Sequence, residues 1–408
     1  MLRCRVAKSI CAFACILFVS PAWALTAELE ARIDALARQT VADGIAAGLM
    51  VAVGEQGKPT YQCGYGLANI EWNASVTPDT VFRVGSITKQ FAAAGVLLLA
   101  EENKLSLDDK FSRYFPDFPR GDQITLRQLM NHTSGIHSYP GPTERSIVRV
   151  GIPVPEMVKH IAGLGYDFSP GTRWDYSNSG YFLIGAVIEQ VSGQTFRDFA
   201  QQRLFTPLGL TSTAVDRNDE IVPRRASAYF RDSANKGVYE NADYIHMSVP
   251  HAAGGMRSTA ADLIKWTAAL HSGRVLSDTS YKEMTTPASV LGQEDAKYGL
   301  GLHLREQQGH RLINHDGGIE GFEASVTYVV DTSTTVVVLA NTQGGARALA
   351  AAILELLLAP HNSQADAAGR GVRLCSDVTE PRSRESRLST SAARALLPRM
   401  RAPVCCRD

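Results

Sequence analysis

Val81-Phe82-Arg83-Val84-Gly85-Ser86-Ile87-Thr88-Lys89-Gln90-Phe91-Ala92-Ala93-Ala94-Gly95-Val96-Leu97-Leu98-Leu99-Ala100 is the stretch from which the rest of the chain can be read. From Ser86 onward it is rich in Ala and Leu, which predicts a helix, and its mostly apolar faces predict burial. Ser86 stands at the start of that helix, where a hydroxyl can cap and the helix dipole favours developing negative charge. Lys89 follows at i+3, on the same face and one turn along. A nearly buried helix has no structural use for an inward lysine, whereas a lysine with a depressed pKa beside a serine hydroxyl can make that hydroxyl a nucleophile. The bland alternative is a cap plus a lysine that reaches out to solvent. A second Ser-x-x-Lys, Ser233 to Lys236, sits in a polar stretch with no apolar run after it and reads as loop, so the pattern alone decides little.

Composition sets the frame around this stretch. With 408 residues, 45% hydrophobic and 20% charged, the chain has ample material for a globular core in two or three structural units. A formal net charge of zero favours neither nucleic acid nor a membrane surface as partner. At the N-terminus, basic Arg3, Arg5 and Lys8 precede a short apolar run, Ile10 to Val19, and then Ala22-Trp23-Ala24. That order predicts a signal peptide over residues 1–24, export to the periplasm or medium, and no stable membrane span afterwards. Cys4, Cys11 and Cys15 would leave with it; Cys63 then stands alone, far from Cys375, Cys405 and Cys406, and reads as a small buried hydrophobe. Residues 361–408 are predicted to be a disordered tail, for 362–408 hold nine arginines against five acids without apolar periodicity.

In between, periodicity outlines a domain over residues 25–360. Thr26 to Ala42 reads as an amphipathic helix capped by Thr26; residues 49–53 and 59–65 read as a hairpin around Gly54-Glu55-Gln56-Gly57. A short helix over 124–130 ends at Asn131-His132, where the histidine is expected to cap or pack rather than catalyse. Helices are also expected over 182–191 and 261–270. Residues 301–304, 311–315, 323–330 and 334–340 alternate or run apolar as strands do, and 346–358 closes the domain as a helix. Strands at both ends with helices between predict an α+β arrangement: a sheet region over 25–80 and 295–360, and a helical region over about 81–294.

A serine nucleophile needs a base, an orienting group and donors for an oxyanion. Tyr176-Ser177-Asn178 lies at the mouth of the apolar 182–191 helix, where both outer side chains can project into a cleft; the similar Tyr239-Glu240-Asn241 lies in the polar stretch. His315-Asp316-Gly317-Gly318 ends an apolar strand, and its glycines would let a substrate backbone approach, although Asp-Gly is also a common turn. His271-Ser272-Gly273 follows a helix instead of a strand and is discounted.

Together, Ser86-Ile87-Thr88-Lys89, Tyr176-Ser177-Asn178 and His315-Asp316-Gly317 resemble, in order, the three signatures of the penicillin-recognising serine hydrolases. That superfamily includes class C β-lactamases, D-alanyl-D-alanine carboxypeptidases, D-aminopeptidases and related carboxylesterases. The phrases Leu129 to Gly135, Gly254 to Leu263 and Val338 to Asn341 are similar to it too, and the resemblance spans roughly residues 27–360. It implies a β-lactamase-like fold: an antiparallel sheet flanked by helices, an inserted all-helical subdomain, and a cleft between them. It implies Ser86 as acylated nucleophile, with Lys89 and Tyr176 sharing general-base and acid duties. It further implies Asn178, His315 and Gly317 as substrate-binding residues, and the backbone N–H groups of Ser86 and Gly318 as oxyanion hole. No cofactor or metal is implied, and no His-Glu-x-x-His occurs.

Neither Lys-Thr-Gly nor Lys-Ser-Gly occurs, so His315 replaces the usual third-motif lysine and would grip a penicillin carboxylate more weakly. That shifts the expectation from efficient β-lactamase to an exported D,D-peptidase-like hydrolase acting on small D-amino-acid peptides or β-lactam amides. A carboxylesterase on the same residues and a penicillin sensor without turnover are the alternatives. The absence of Gly-x-Ser-x-Gly argues against an α/β-hydrolase route. Oligomeric state is not legible.

Overall fold

The computed structural model describes residues 25–140, 145–232, 234–290, 293, 297–359 and 373–374. The expected signal peptide and, but for residues 373–374, the expected tail lie outside these.

Helix α1 (Ala27–Ala42) starts where the sequence suggests, with the Thr26 hydroxyl accepting the Leu29 N–H at 3.2 Å. Strands β1 (Gly48–Glu55) and β2 (Lys58–Asn69) follow as a hairpin. The other half of the sheet comes from the far end of the domain: β3 (His303–Gln307), β4 (His310–Ile319), β5 (Phe322–Val329) and β6 (Thr334–Ala340). The two halves join because β1 pairs antiparallel with β6, Val51 opposite Val338. The order is β2-β1-β6-β5-β4-β3, with Arg373–Leu374 added in parallel on the β2 edge.

Strand alternation separates two cores. Leu49, Val51, Val53 and Val338 pack with Ile33 of α1 and with Leu349 and Ile353 of the closing helix (Ala346–Leu358). Met50, Ala52, Val337 and Leu339 face the helical region. Because both faces are covered, β1 is apolar without a polar side, as a central strand should be. Cys63, read above as a small buried hydrophobe, is buried but also disulfide-bonded, and no other described residue is a cysteine.

Against that second face lies α2 (Thr88–Glu101), preceded by a 3-10 turn over Gly85–Ile87. Eleven of its residues are buried, so it is the axis of the larger core. Phe91 stacks on Trp266 with centroids 3.9 Å apart, and the Trp266 indole N–H donates to Gln90 Oε1, satisfying both buried polar groups. Helix α3 (Leu126–Met130) begins with a Thr125–Gln128 capping box, and α4 (Asn178–Ser192) packs on both α2 and α3. Among the described residues no helix is long and apolar enough to cross a membrane.

Candidate active site

Ser86 sits in the 3-10 turn, one residue after Gly85 with φ +50°. A Cβ on Gly85 would lie 2.7 Å from the Gly318 nitrogen, so the turn and β4 touch backbone to backbone, and only glycine fits. Gly317 is equally constrained: its Cβ would fall 1.9 Å from the Val84 carbonyl oxygen. Thr88 pins the turn, donating to the Gly85 carbonyl at 2.7 Å and accepting the Met256 N–H at 3.1 Å.

One helical step on, Lys89 is fully buried. Its Nζ lies 3.0 Å from Ser86 Oγ, 2.9 Å from Asn178 Oδ1 and 2.7 Å from the Ala253 carbonyl oxygen. Burial pushes its pKa well below the ordinary 10.5, favouring the neutral amine. A neutral amine has two N–H donors and one lone pair. Two of its three neighbours, Asn178 Oδ1 and Ala253 O, can only accept, so they take both donors. The lone pair is left for the Ser86 hydroxyl. The Asn178 orientation follows from its other end, where Nδ2 donates to the Tyr139 carbonyl at 3.2 Å.

Tyr176 approaches from the other side, its ring centroid 4.8 Å from Lys89 Nζ. Burial raises its phenol above the ordinary value of 10. It is therefore a proton donor near neutral pH and not a phenolate base. His132 fixes its place. With φ +66°, this buried residue accepts the Asp175 N–H on its carbonyl at 3.0 Å and the Ser177 N–H on Nδ1 at 3.1 Å, bracketing Tyr176. Its ring lies against that of Tyr176 at 4.4 Å. Ser177 in turn caps α4 through the Gly180 N–H, which sets Asn178 at the first helical position.

His315 is buried within β4. Its Nδ1 lies 2.6 Å from the Asp316 carbonyl and its Nε2 2.9 Å from the Tyr298 hydroxyl. The carbonyl can only accept, so Nδ1 carries the proton and Nε2 accepts from Tyr298. Burial, then the neighbouring His303 and Lys89, push its pKa well below 6.5. A neutral ring with both nitrogens engaged offers no cation to a carboxylate. The Asp-Gly turn is also not what this segment makes: β4 runs straight through Gly317 and Gly318, and the hairpin turns at Glu320-Gly321.

Ser86, Asn178 and Gly318 open together on a cleft of about 320 Å³, walled by Tyr139, Phe230, Ile245, Val249 and Ile319. The discounted copies lie elsewhere: Lys236 pairs with exposed Asp43, Tyr239–Asn241 forms a two-stranded ribbon, and His271 bonds Tyr281.

A sequence profile of the Beta-lactamase family matches residues 33–359. The chain belongs to the beta-lactamase family. Within that family it is similar to a penicillin-binding protein of Bacillus subtilis (strain 168), 28% identical over 71% of this chain and 67% of the relative. It is also similar to a D-aminopeptidase of Gluconobacter oxydans (strain 621H), 27% identical over 82% and 62%. Among solved structures it resembles the D-amino acid amidase from Ochrobactrum anthropi SV3 complexed with D-phenylalanine. There the TM-score is 0.71 and the identity 28%, over 81% of this chain and 98% of that one. The protein is a serine hydrolase of the beta-lactamase family. Within this fold, sequence reasoning missed the Ala253 carbonyl and Tyr298, and it gave His132 no part in the site.

Proposed function

We propose that this protein is an exported D-amino-acid amidase or peptidase that works through an acyl-serine on Ser86. The observation that carries the reading is the fully buried Lys89 Nζ, 3.0 Å from Ser86 Oγ, with two oxygens that can only accept, Asn178 Oδ1 and Ala253 O, as its other partners. Lys89 takes the Oγ proton as Oγ bonds to the substrate carbonyl carbon. The N–H groups of Ser86 and Gly318 receive the oxyanion. The C–N bond then breaks, and the leaving amine takes a proton from Tyr176, which is replenished from the Lys89 ammonium. Water next attacks the acyl ester and gives a proton to Lys89, which passes it to Ser86 Oγ as the ester C–O bond breaks and the acid leaves. Amide and water thus become acid and amine.

The amidase branch is favoured over β-lactam hydrolysis by the neutral, fully engaged His315, and by likeness to proteins named D-aminopeptidase and D-amino acid amidase. Export is supported by the leader pattern and by the disulfide at Cys63, which needs an oxidising compartment. The test is intact mass with D-phenylalanine amide and benzylpenicillin, beside Ser86→Ala. Turnover of the amide by wild type alone supports the reading. Penicilloate formation without amide turnover would replace it with a β-lactamase, and an adduct that never decays would replace it with a sensor.

A further inference from the structure

The cleft has one feature that the acyl-transfer chemistry does not use. Glu320 lines it together with Ser86, and the other lining residues are uncharged; the nearby Arg347 guanidinium, 3.4 Å from where a Cβ on Gly318 would stand, is paired with Glu323 at 3.3 Å. Among the described residues its carboxylate has no ion-pair partner: Arg83, the cation that acts on it electrostatically, is held at 2.9 Å by Asp216, and Asp243 adds further negative charge. Nor is its position a matter of a loose loop. Ile319 pairs with Phe322, so Glu320 and Gly321 form a two-residue turn. Gly321 has φ +70°, and a Cβ there would lie 2.7–2.8 Å from Ala242, Ala228 and the Tyr229 nitrogen. The turn is locked by its neighbours, so the carboxylate is presented from a fixed point at the end of β4.

A carboxylate whose only other support is a hydrogen bond from its own backbone N–H, held in a largely apolar cleft with no ion-pair partner, is costly unless a cation comes to meet it. Burial accordingly raises its pKa. The ligand that satisfies it must bring a positive charge into a cleft that holds the nucleophile. We propose that Glu320 is a specificity-determining residue, its carboxylate receiving the free ammonium group of a D-amino-acid amide or peptide whose carbonyl is presented to Ser86. This rests on the amidase reading above and sharpens it: the enzyme reads a free N-terminus rather than a C-terminal carboxylate, which Glu320 would repel.

The test compares D-phenylalanine p-nitroanilide with its N-acetyl derivative, and uses p-nitrophenyl butyrate to report on the acylation machinery. Wild type should prefer the free amine over the N-acetyl compound by about tenfold or more. Glu320→Gln should lower kcat/KM for the free amine by about 10- to 100-fold, mainly through KM, while the ratio of amine to ester activity falls by a similar factor. Glu320→Asp should recover part of that ratio. Equal rates of wild type on free and acetylated anilides would overturn the assignment, as would a Glu320→Gln loss that is the same for anilide and ester. If wild type cleaves the ester but neither anilide, the amidase reading itself fails. The wild-type comparison stands even should a variant not fold.

Discussion

Lys89 makes the pH dependence of stability a direct test of the site. The unfolded chain holds a proton on this lysine up to its ordinary pKa of 10.5, whereas burial pushes the folded value well below that. Between the two values the unfolded state binds one more proton than the folded state. Stability attributable to Lys89 therefore rises with pH across that window and is lost as pH falls, at about 1.4 kcal/mol per pH unit. Lys89→Met removes the site, and all other titrations are common to both proteins and cancel. From about pH 8 to about pH 9.5, wild type should gain about 2 kcal/mol relative to the variant. Urea unfolding of both proteins at the two pH values, followed by tryptophan fluorescence with the disulfide intact, measures this difference. A wild-type-minus-variant gap that does not change with pH would mean that Lys89 is charged in the folded protein. The donor count that leaves its lone pair for Ser86 would then be wrong.

Other outcomes follow from the same geometry. With p-nitrophenyl butyrate, which carries no ammonium, kcat/KM should rise with pH through the lowered pKa of Lys89 and show no falling limb below pH 10, since Tyr176 is raised; with D-phenylalanine amide it should fall again as the substrate ammonium loses its proton at about pH 8, and an early falling limb on the ester would assign the phenol differently. Tyr176→Phe should cost about 10²- to 10⁴-fold in kcat while leaving the melting temperature near wild type, as measured by steady-state kinetics and calorimetry. Asp216 is fully enclosed and holds Arg83, Arg225 and Arg257 at 2.7–2.9 Å, so Asp216→Asn should destabilise by about 3–5 kcal/mol in urea titrations. Gly85→Ala should abolish activity even where the protein folds, because the new Cβ meets Gly318 at 2.7 Å; normal turnover would refute the tight turn.

The sheet, the flanking helices and the Ser86 helix are legible because each repeats a period over many residues, and because Ser86 and Lys89 interact within one turn. Tyr176-Ser177-Asn178 and His315-Asp316-Gly317 are legible only as ordered signatures; nothing local tells them from Tyr239-Glu240-Asn241 or His271-Ser272-Gly273. The Ala253 carbonyl leaves no mark at all, since every residue has one, and its use depends on where the chain runs. His132 and Tyr298 read as packing because their roles are to hold other groups: one brackets Tyr176, the other occupies His315. Asp316-Gly317 misleads as a turn because the glycines answer a steric demand from the Val84 carbonyl across the sheet, which is a tertiary contact. Cys63 misleads because a disulfide is a property of two positions, and only one of them looks structured in sequence.

Pairing of β1 with β6 sets a clock on biosynthesis. Leu49 meets Ala340, so the first strand made must wait about 290 residues for its partner. At roughly 5–20 residues per second that is about 15–60 s in which an apolar strand has one edge unpaired. The nucleophile waits nearly as long, since Ser86 precedes Gly318 by more than half the chain. A chain that ends before Gly318 therefore lacks one of the two proposed oxyanion donors. The topology that joins the first and last long strands of the domain in one sheet thus leaves the sheet and the site incomplete until most of the domain has been made.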